Sequence, residues 1–137
     1  MEYKVALILL YDKDGRFLLQ HRCLNAGVLP GYWAFFGGGI QPGETPQEAV
    51  VRESWEELGY MPVSPRIFKE QPFVEAGKKG YMYVYIEAIG VDKSSLELRE
   101  GQGWGWFSED EIESLKMVER DRLIIREASR FIKKELV

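Results

Sequence analysis

Residues 38–60, GGIQPGETPQEAVVRESWEELGY, spell out both ends of one helix and load its middle with acid. Thr45 is a good N-cap, Pro46 suits the first helical position, and Glu48 completes a capping box with Thr45. Gly59 is the expected terminator, so the spacing predicts a helix over 46–58. At about 100° per residue, Glu53, Glu56 and Glu57 fall within an arc of roughly 100°. Val51, Ser54, Trp55 and Leu58 lie on the opposite arc and are expected to face the core. Carboxylates at i, i+3 and i+4 repel, each pair costing about 0.2–0.5 kcal/mol. One way to relieve this is a solvated acidic face paired with Arg52; the other is a divalent cation held among the carboxylates. Ligands that are all oxygen favour Mg²⁺, with Mn²⁺ next, over zinc. Gly37, Gly38 and Gly39 let backbone approach a ligand closely, and Glu44 brings another carboxylate to the helix entrance.

The rest of the chain alternates strand and helix signals without strict order. Residues 3–11 read as a strand whose apolar run lacks alternation, which predicts burial on both faces. Asp14 and Gly15 mark a turn, and 16–22 returns as a second strand. Residues 25–32 form a loop broken by Gly27, Pro30 and Gly31, and 33–36 are a short strand before the three glycines. Downstream, 63–74 is strand-like, interrupted by Pro65 and ending near Pro72, and 75–80 reads as a hairpin loop. Over 81–91 the chain alternates, with Tyr81, Tyr83 and Tyr85 on one side and Met82, Val84 and Ile86 on the other. A short strand is expected at 104–107. Ser108 and Glu111 make a second capping box for a helix near 109–115. Ile124, Ile125, Ala128, Phe131 and Ile132 recur at helical spacing, so the chain closes on an amphipathic helix. The fold class is α/β (α+β), a mixed sheet covered by helices.

Composition narrows the function classes. The 137 residues suit one domain, expected to span 1–137, and 45% of them are apolar, an ordinary globular fraction. A net charge of −4 argues against non-specific binding to nucleic acid or to an anionic membrane. It leaves room for a small phosphorylated substrate, because a bound metal reverses the local sign. Cys23 is the one cysteine, so no intrachain disulfide forms, which fits a reducing cytoplasm. The early apolar run at 5–10 is too short to span a bilayer, and the residues around Glu2 and Asp12 do not read as a signal peptide. A soluble cytoplasmic protein, monomer or homodimer, is expected.

The spacing Gly38-x5-Glu44-x7-Arg52-Glu53-x-x-Glu56-Glu57-x-Gly59 resembles the Nudix box, the signature of the Nudix hydrolases. The resemblance implies an α/β/α sandwich with a mixed β-sheet between helices, the box forming a loop-helix-loop. It departs from the pattern at two packing positions, Ser54 and Tyr60, where aliphatic residues are commoner. By this resemblance Glu53, Glu56 and Glu57 are metal ligands, and Glu53 or Glu56 also positions or deprotonates the attacking water. Arg52 holds the carboxylates in place by ion pairing, Glu44 orients Arg52 or the loop, and the Gly38 region offers a backbone carbonyl to metal. Glu100, in a Glu-Gly-Gln segment before a tryptophan strand, resembles a further metal ligand or base of MutT-like members. Arg22, at the end of the second strand, resembles the family's phosphate-contacting arginine. Asp121 stands where MutT-like enzymes read the base, and Tyr81 is one of several aromatics placed to stack on it. His21, the one histidine, is expected to point away from Arg22 and to be structural.

Nudix enzymes cleave a nucleoside diphosphate linked to another group. The proline of ADP-ribose hydrolases would fall at Glu75, and the tyrosine of diadenosine-polyphosphate hydrolases would fall among Ala76, Gly77 and Lys78; neither marker is present. The Glu-Gly-Gln segment favours a MutT-like nucleoside triphosphate pyrophosphatase, on ordinary or oxidised nucleotides. An ADP-ribose or nucleotide-sugar pyrophosphatase is the alternative. A nucleotide sensor without turnover is the third reading, and such sensors usually lose box carboxylates that this chain keeps.

Overall fold

In the computed structural model, which describes residues 3–99 and 101–135, strand β1 (Tyr3–Tyr11) runs through the middle of the sheet. It is apolar on both faces because both faces are covered. Val5 and Leu9 point into one hydrophobic cluster, Ala6, Ile8 and Leu10 into the other. Strand β2 (Phe17–His21) follows antiparallel, then the short β3 (Trp33–Ala34) and β4 (Phe36–Gly39). Helix α1 (Pro46–Leu58) leads to β5 (Arg66–Glu75), β6 (Lys78–Ala88), β7 (Gly103–Phe107) and helix α2 (Glu119–Glu135). The strand order is β3-β2-β1-β6-β5, with β4 also paired to β1 and β7 to β2. β1 and β6 are parallel, and the remaining pairings are antiparallel. The sheet is mixed, as expected.

One helix covers each face. On one side Met82, Val84 and Ile86 of β6 pack with Ile124, Ile125, Ala128 and Ile132 of α2. On the other, Tyr85 packs with Ala49, Val50 and Leu58 of α1. The alternation read in β6 therefore sorts its side chains between the two helix layers. Each fully buried aliphatic side chain contributes about 1.5–3 kcal/mol, so the sheet is held from both faces. No helix among the described residues is long and apolar enough to cross a membrane.

Several elements differ from the sequence reading. The glycines at 37–39 do not follow a strand; they form most of β4, with Gly37 opposite Leu7 and Gly39 opposite Val5. A Cβ on Gly37, at φ +132°, would lie 2.3 Å from the Ala6 carbonyl oxygen, so glycine lets this strand lie on β1. The expected loop at 75–80 is only a two-residue turn. Glu75 pairs with Lys78 across Ala76 (φ 52°) and Gly77 (φ 77°), positive dihedrals that suit tight hairpins. β6 accordingly starts and ends three residues before the expected 81–91. Pro72 lies inside β5, which accepts a proline because it is an edge strand. The helix expected near 109–115 is a single 3-10 turn, Glu111–Ser114, although the Ser108 and Glu111 capping bonds both form.

Candidate active site

Local sequence sets α1 as expected. The Thr45 hydroxyl accepts the Glu48 N–H at 3.1 Å, and the Glu48 carboxylate accepts the Thr45 N–H at 2.9 Å. Gly59 closes the helix at φ 63°. Ser54 is fully buried. Its Oγ is, among the described residues, a buried side-chain oxygen without a hydrogen-bond partner. Trp55, expected in the core, is 49% exposed instead. Its ring lies against the guanidinium of Arg99, 5.3 Å from the centroid. Tyr60, the other unusual packing residue, is buried and donates its hydroxyl to Glu87 Oε2 at 2.5 Å. Burial first, and Glu87 next, push that hydroxyl up to about 12. Both residues that depart from the box pattern thus sit inside the protein.

The carboxylates converge on Arg52. Its Nε and Nη2 hold both oxygens of Glu44 at 2.7 and 3.0 Å, a bidentate pair. Nη1 donates to Glu53 at 2.9 Å and to Glu56 at 3.3 Å, and Nη2 also reaches the Gly39 carbonyl at 3.1 Å. Arg52 pulls the Glu44 carboxyl down to about 2, helped by the Gln41 N–H. In return Glu44 first, and Glu53 next, raise the guanidinium further above its ordinary range. Glu57 lies deeper, 3% exposed, and accepts the Gly37 N–H at 2.8 Å. The Glu53 carboxylate rests directly on Gly38, where a Cβ would meet its oxygen at 2.8 Å. The triple glycine therefore does three separate things: an N–H to Glu57, open space beside Glu53 and a carbonyl to Arg52. The sequence reading had only the glycine run as a signal, and missed the first and third of these.

Among the described residues, no three His, Cys, Asp or Glu side chains are gathered round one point as a ready-made metal cage. Arg52 draws Glu53 and Glu56 to itself instead. The donor set nevertheless fits a hard divalent cation. It is made of carboxylate oxygens, with bare backbone at Gly38 where a side chain would otherwise fill the space beside Glu53. Glu56 is the open member, its side chain 54% exposed.

The remaining candidates lie on other elements. Glu100 falls outside the described residues. Arg22 turns its Nε back onto the Val28 carbonyl at 2.8 Å, fastening the loop that follows β2. Tyr81 stands on the α1 face of β6, edge-on to Tyr83 with centroids 5.2 Å apart. Asp121 is on the α2 side, 5% exposed, and accepts from Arg120 Nε at 3.1 Å. Burial pushes its carboxyl up, and Arg120 opposes that shift. Arg120 also pairs with Glu75 at 3.0 Å. His21 stacks flat on Trp33, with centroids 4.5 Å apart. The fold thus brings together Arg52, Glu44, Glu53, Glu56 and Gly38, with Glu57 beside them, while Arg22 follows β2, Tyr81 lies on β6 and Asp121 on α2.

Residues 1–128 match the family described as NUDIX domain. Nucleoside triphosphatase NudI of Enterobacter sp. (strain 638) is 30% identical over 133 residues, covering 90% of this chain and 94% of that one. Among solved structures, the MutT protein of Methanosarcina mazei Go1 superposes with a TM-score of 0.83 at 26% identity, over 96% of each chain. The MutT Nudix hydrolase of Burkholderia pseudomallei shares the fold, with a TM-score of 0.79 at 22% identity over 92% of this chain and 97% of that one. Enzymes of this family generally use divalent metals, which is what a carboxylate cluster of this kind attracts. The α/β/α sandwich, the glycine-backed carboxylate helix and these matches make the chain a member of the Nudix family, hydrolases of phosphoric anhydrides.

Proposed function

We propose that the protein is a Mg²⁺-dependent pyrophosphohydrolase that converts a nucleoside triphosphate, ordinary or oxidised, to the nucleoside monophosphate and pyrophosphate. The observation that carries this reading is the carboxylate cluster on α1, seated on Gly38 and organised by Arg52. Glu53, Glu56 and Glu57 would hold the ion, with Mn²⁺ an acceptable substitute. When bound, the ion neutralises phosphate charge and makes a coordinated water more acidic. Glu53 or Glu56 takes a proton from the attacking water. The water oxygen bonds to one phosphorus of the α–β anhydride, and the bridging oxygen leaves with the other. Arg52 keeps Glu53 and Glu56 on one side of the helix, and Glu44 keeps Arg52 there. The NudI relative is named a nucleoside triphosphatase, which supports this substrate class. Arg22 on phosphate, Asp121 and Tyr81 on the base, and Glu100 as a further ligand or base complete the proposal.

The test is a substrate panel with Mg²⁺ and identification of the phosphate product. It should include the common and oxidised nucleoside triphosphates, ADP-ribose and sugar nucleotides. Pyrophosphate released from a triphosphate is the expected result. Preferential turnover of ADP-ribose or a sugar nucleotide would overturn the substrate class. Tight nucleotide binding with no turnover of any substrate would overturn the enzyme reading.

A further inference from the structure

We propose that Arg99 is a positioning residue for Glu56 and Glu57, acting through the last turn of α1 by a latch it forms with Trp55. This inference rests on the reading of those carboxylates as metal ligands. A helix ends with four carbonyls lacking partners inside the helix, and α1 carries no basic residue in its last turn. The segment that joins β6 to β7 supplies both missing things. The Leu58 carbonyl accepts the Glu97 N–H at 2.9 Å, and the Glu57 carbonyl accepts the Arg99 N–H at 2.9 Å. Arg99 Nη1 donates to the Trp55 carbonyl at 3.0 Å. The same guanidinium lies over the Trp55 ring and is held from behind by Glu97 at 3.0 Å.

Two sequence oddities fall into place. Trp55 is half-exposed because its ring serves as a platform for a cation rather than as core. Gly59, already needed for its left-handed backbone, also leaves room for Arg99, since a Cβ there would lie 3.0 Å from Nη2. Glu57 is consequently fixed from two directions. Its side chain is bound to the Gly37 N–H of β4, and its carbonyl to the main-chain N–H of Arg99, whose guanidinium holds the same turn at Trp55. The turn that presents Glu56 and Glu57 is clamped between β4 and the segment at 97–99. A cation at this end also complements the negative pole of the helix, which a cluster of acids would otherwise reinforce.

The test is Mn²⁺ titration followed by electron paramagnetic resonance, with hydrogen exchange at the amides of residues 55–59, on wild type, Arg99→Ala, Arg99→Lys and Glu56→Gln. Arg99→Ala is expected to weaken Mn²⁺ binding about tenfold, the low end of what a partner behind the ligands is worth. Exchange at 55–59 should speed up, while KM for nucleotide at saturating metal stays unchanged. Arg99→Lys keeps the charge and should recover part of the affinity. Wild-type Mn²⁺ affinity in Arg99→Ala would overturn the latch, as would weakened affinity with unchanged exchange at 55–59. The Glu56→Gln variant separates the two layers of reasoning. If it binds Mn²⁺ like wild type, the metal reading itself fails. If it loses binding while Arg99→Ala does not, only the latch fails.

Discussion

Replacing Ser54 by alanine should make the protein more stable. Ser54 is fully buried on the core side of α1, and its hydroxyl oxygen has no hydrogen-bond partner among the described residues. Leaving such a group buried and unpaired costs about 1–3 kcal/mol. Alanine removes the hydroxyl and keeps the Cβ. It also gains up to about 0.5 kcal/mol of helix propensity over serine. Against this stands the small hole left by one oxygen; at ~24 cal/mol per Å³ and on the order of 10 Å³, that is about 0.2 kcal/mol. The balance favours alanine by about 1–3 kcal/mol, a rise in melting temperature of roughly 3–10 °C for a chain of this size. Urea melts of both proteins at one pH measure the difference, provided the slopes agree. Ser54→Val is the companion variant. It adds volume at a filled position and should fall below wild type by about 1–3 kcal/mol. A Ser54→Ala protein less stable than wild type would refute the reasoning. It would mean that the hydroxyl is bonded after all, most simply back to the Val50 carbonyl one turn earlier.

Three further outcomes follow from the site and its supports. Glu53→Gln and Glu56→Gln should each lower kcat by at least about 100-fold, the scale of losing a base or a metal ligand; wild-type turnover in both would remove the cluster from the chemistry. Glu44 carries a carboxyl held at about 2 in the fold against an ordinary 4.5, chiefly by Arg52. A depressed carboxyl stabilises fully above its unfolded value and loses that contribution as pH falls through its folded value. Wild type should therefore lose more stability than Glu44→Gln between about pH 4.5 and pH 2, and parallel curves in stepped-pH urea melts would contradict the pairing. Gly37→Ala sets a Cβ against the Ala6 carbonyl at a positive φ. It should cost at least about 2 kcal/mol, read in the same melts, and near-wild-type stability would show that β4 can move off β1.

What the sequence revealed, and what it hid, divides by distance along the chain. Thr45, Pro46, Glu48 and Gly59 act within a few residues of one another, so both ends of α1 were readable. The Arg52 cluster was readable for the same reason, since Glu44, Glu53 and Glu56 lie within two turns of Arg52 or at the helix entrance. Two-sided burial of β1 and the alternation of β6 were visible because each follows from a short period. Trp55 was misplaced because its partner, Arg99, comes 44 residues later, and helical phase alone reads tryptophan as core. The tight turn at Ala76 and Gly77 was hidden because alanine rarely takes a positive φ, which only the pairing of Glu75 with Lys78 imposes. The glycines of β4 read as a break in structure. Their role as a strand depends on β1, about thirty residues upstream, which no local pattern encodes.

The position of Arg52 resolves the tension within α1. Three carboxylates on one side of a helix oppose folding, yet the helix must be in place before an ion can find them. A guanidinium fixed at Glu44 and Gly39 supplies the positive charge permanently. Its hold on the acids is graded: Glu44 is held by two bonds of 2.7 and 3.0 Å, Glu53 by one of 2.9 Å and Glu56 by one of 3.3 Å. The tightest partner is the acid assigned no direct contact with metal, and the loosest is the exposed one. On the proposed function, a divalent ion approaching from solvent would meet Glu56 first, where the competing bond is longest. Arg52 can give up that bond and still remain anchored through Glu44. This predicts an order of sensitivity. Loss of Glu44 should disturb folding and the arrangement of the cluster together, whereas loss of Glu56 should leave stability nearly unchanged and remove activity. A Glu56→Gln protein that unfolded as readily as Glu44→Gln would show that the hierarchy of distances does not translate into a hierarchy of roles.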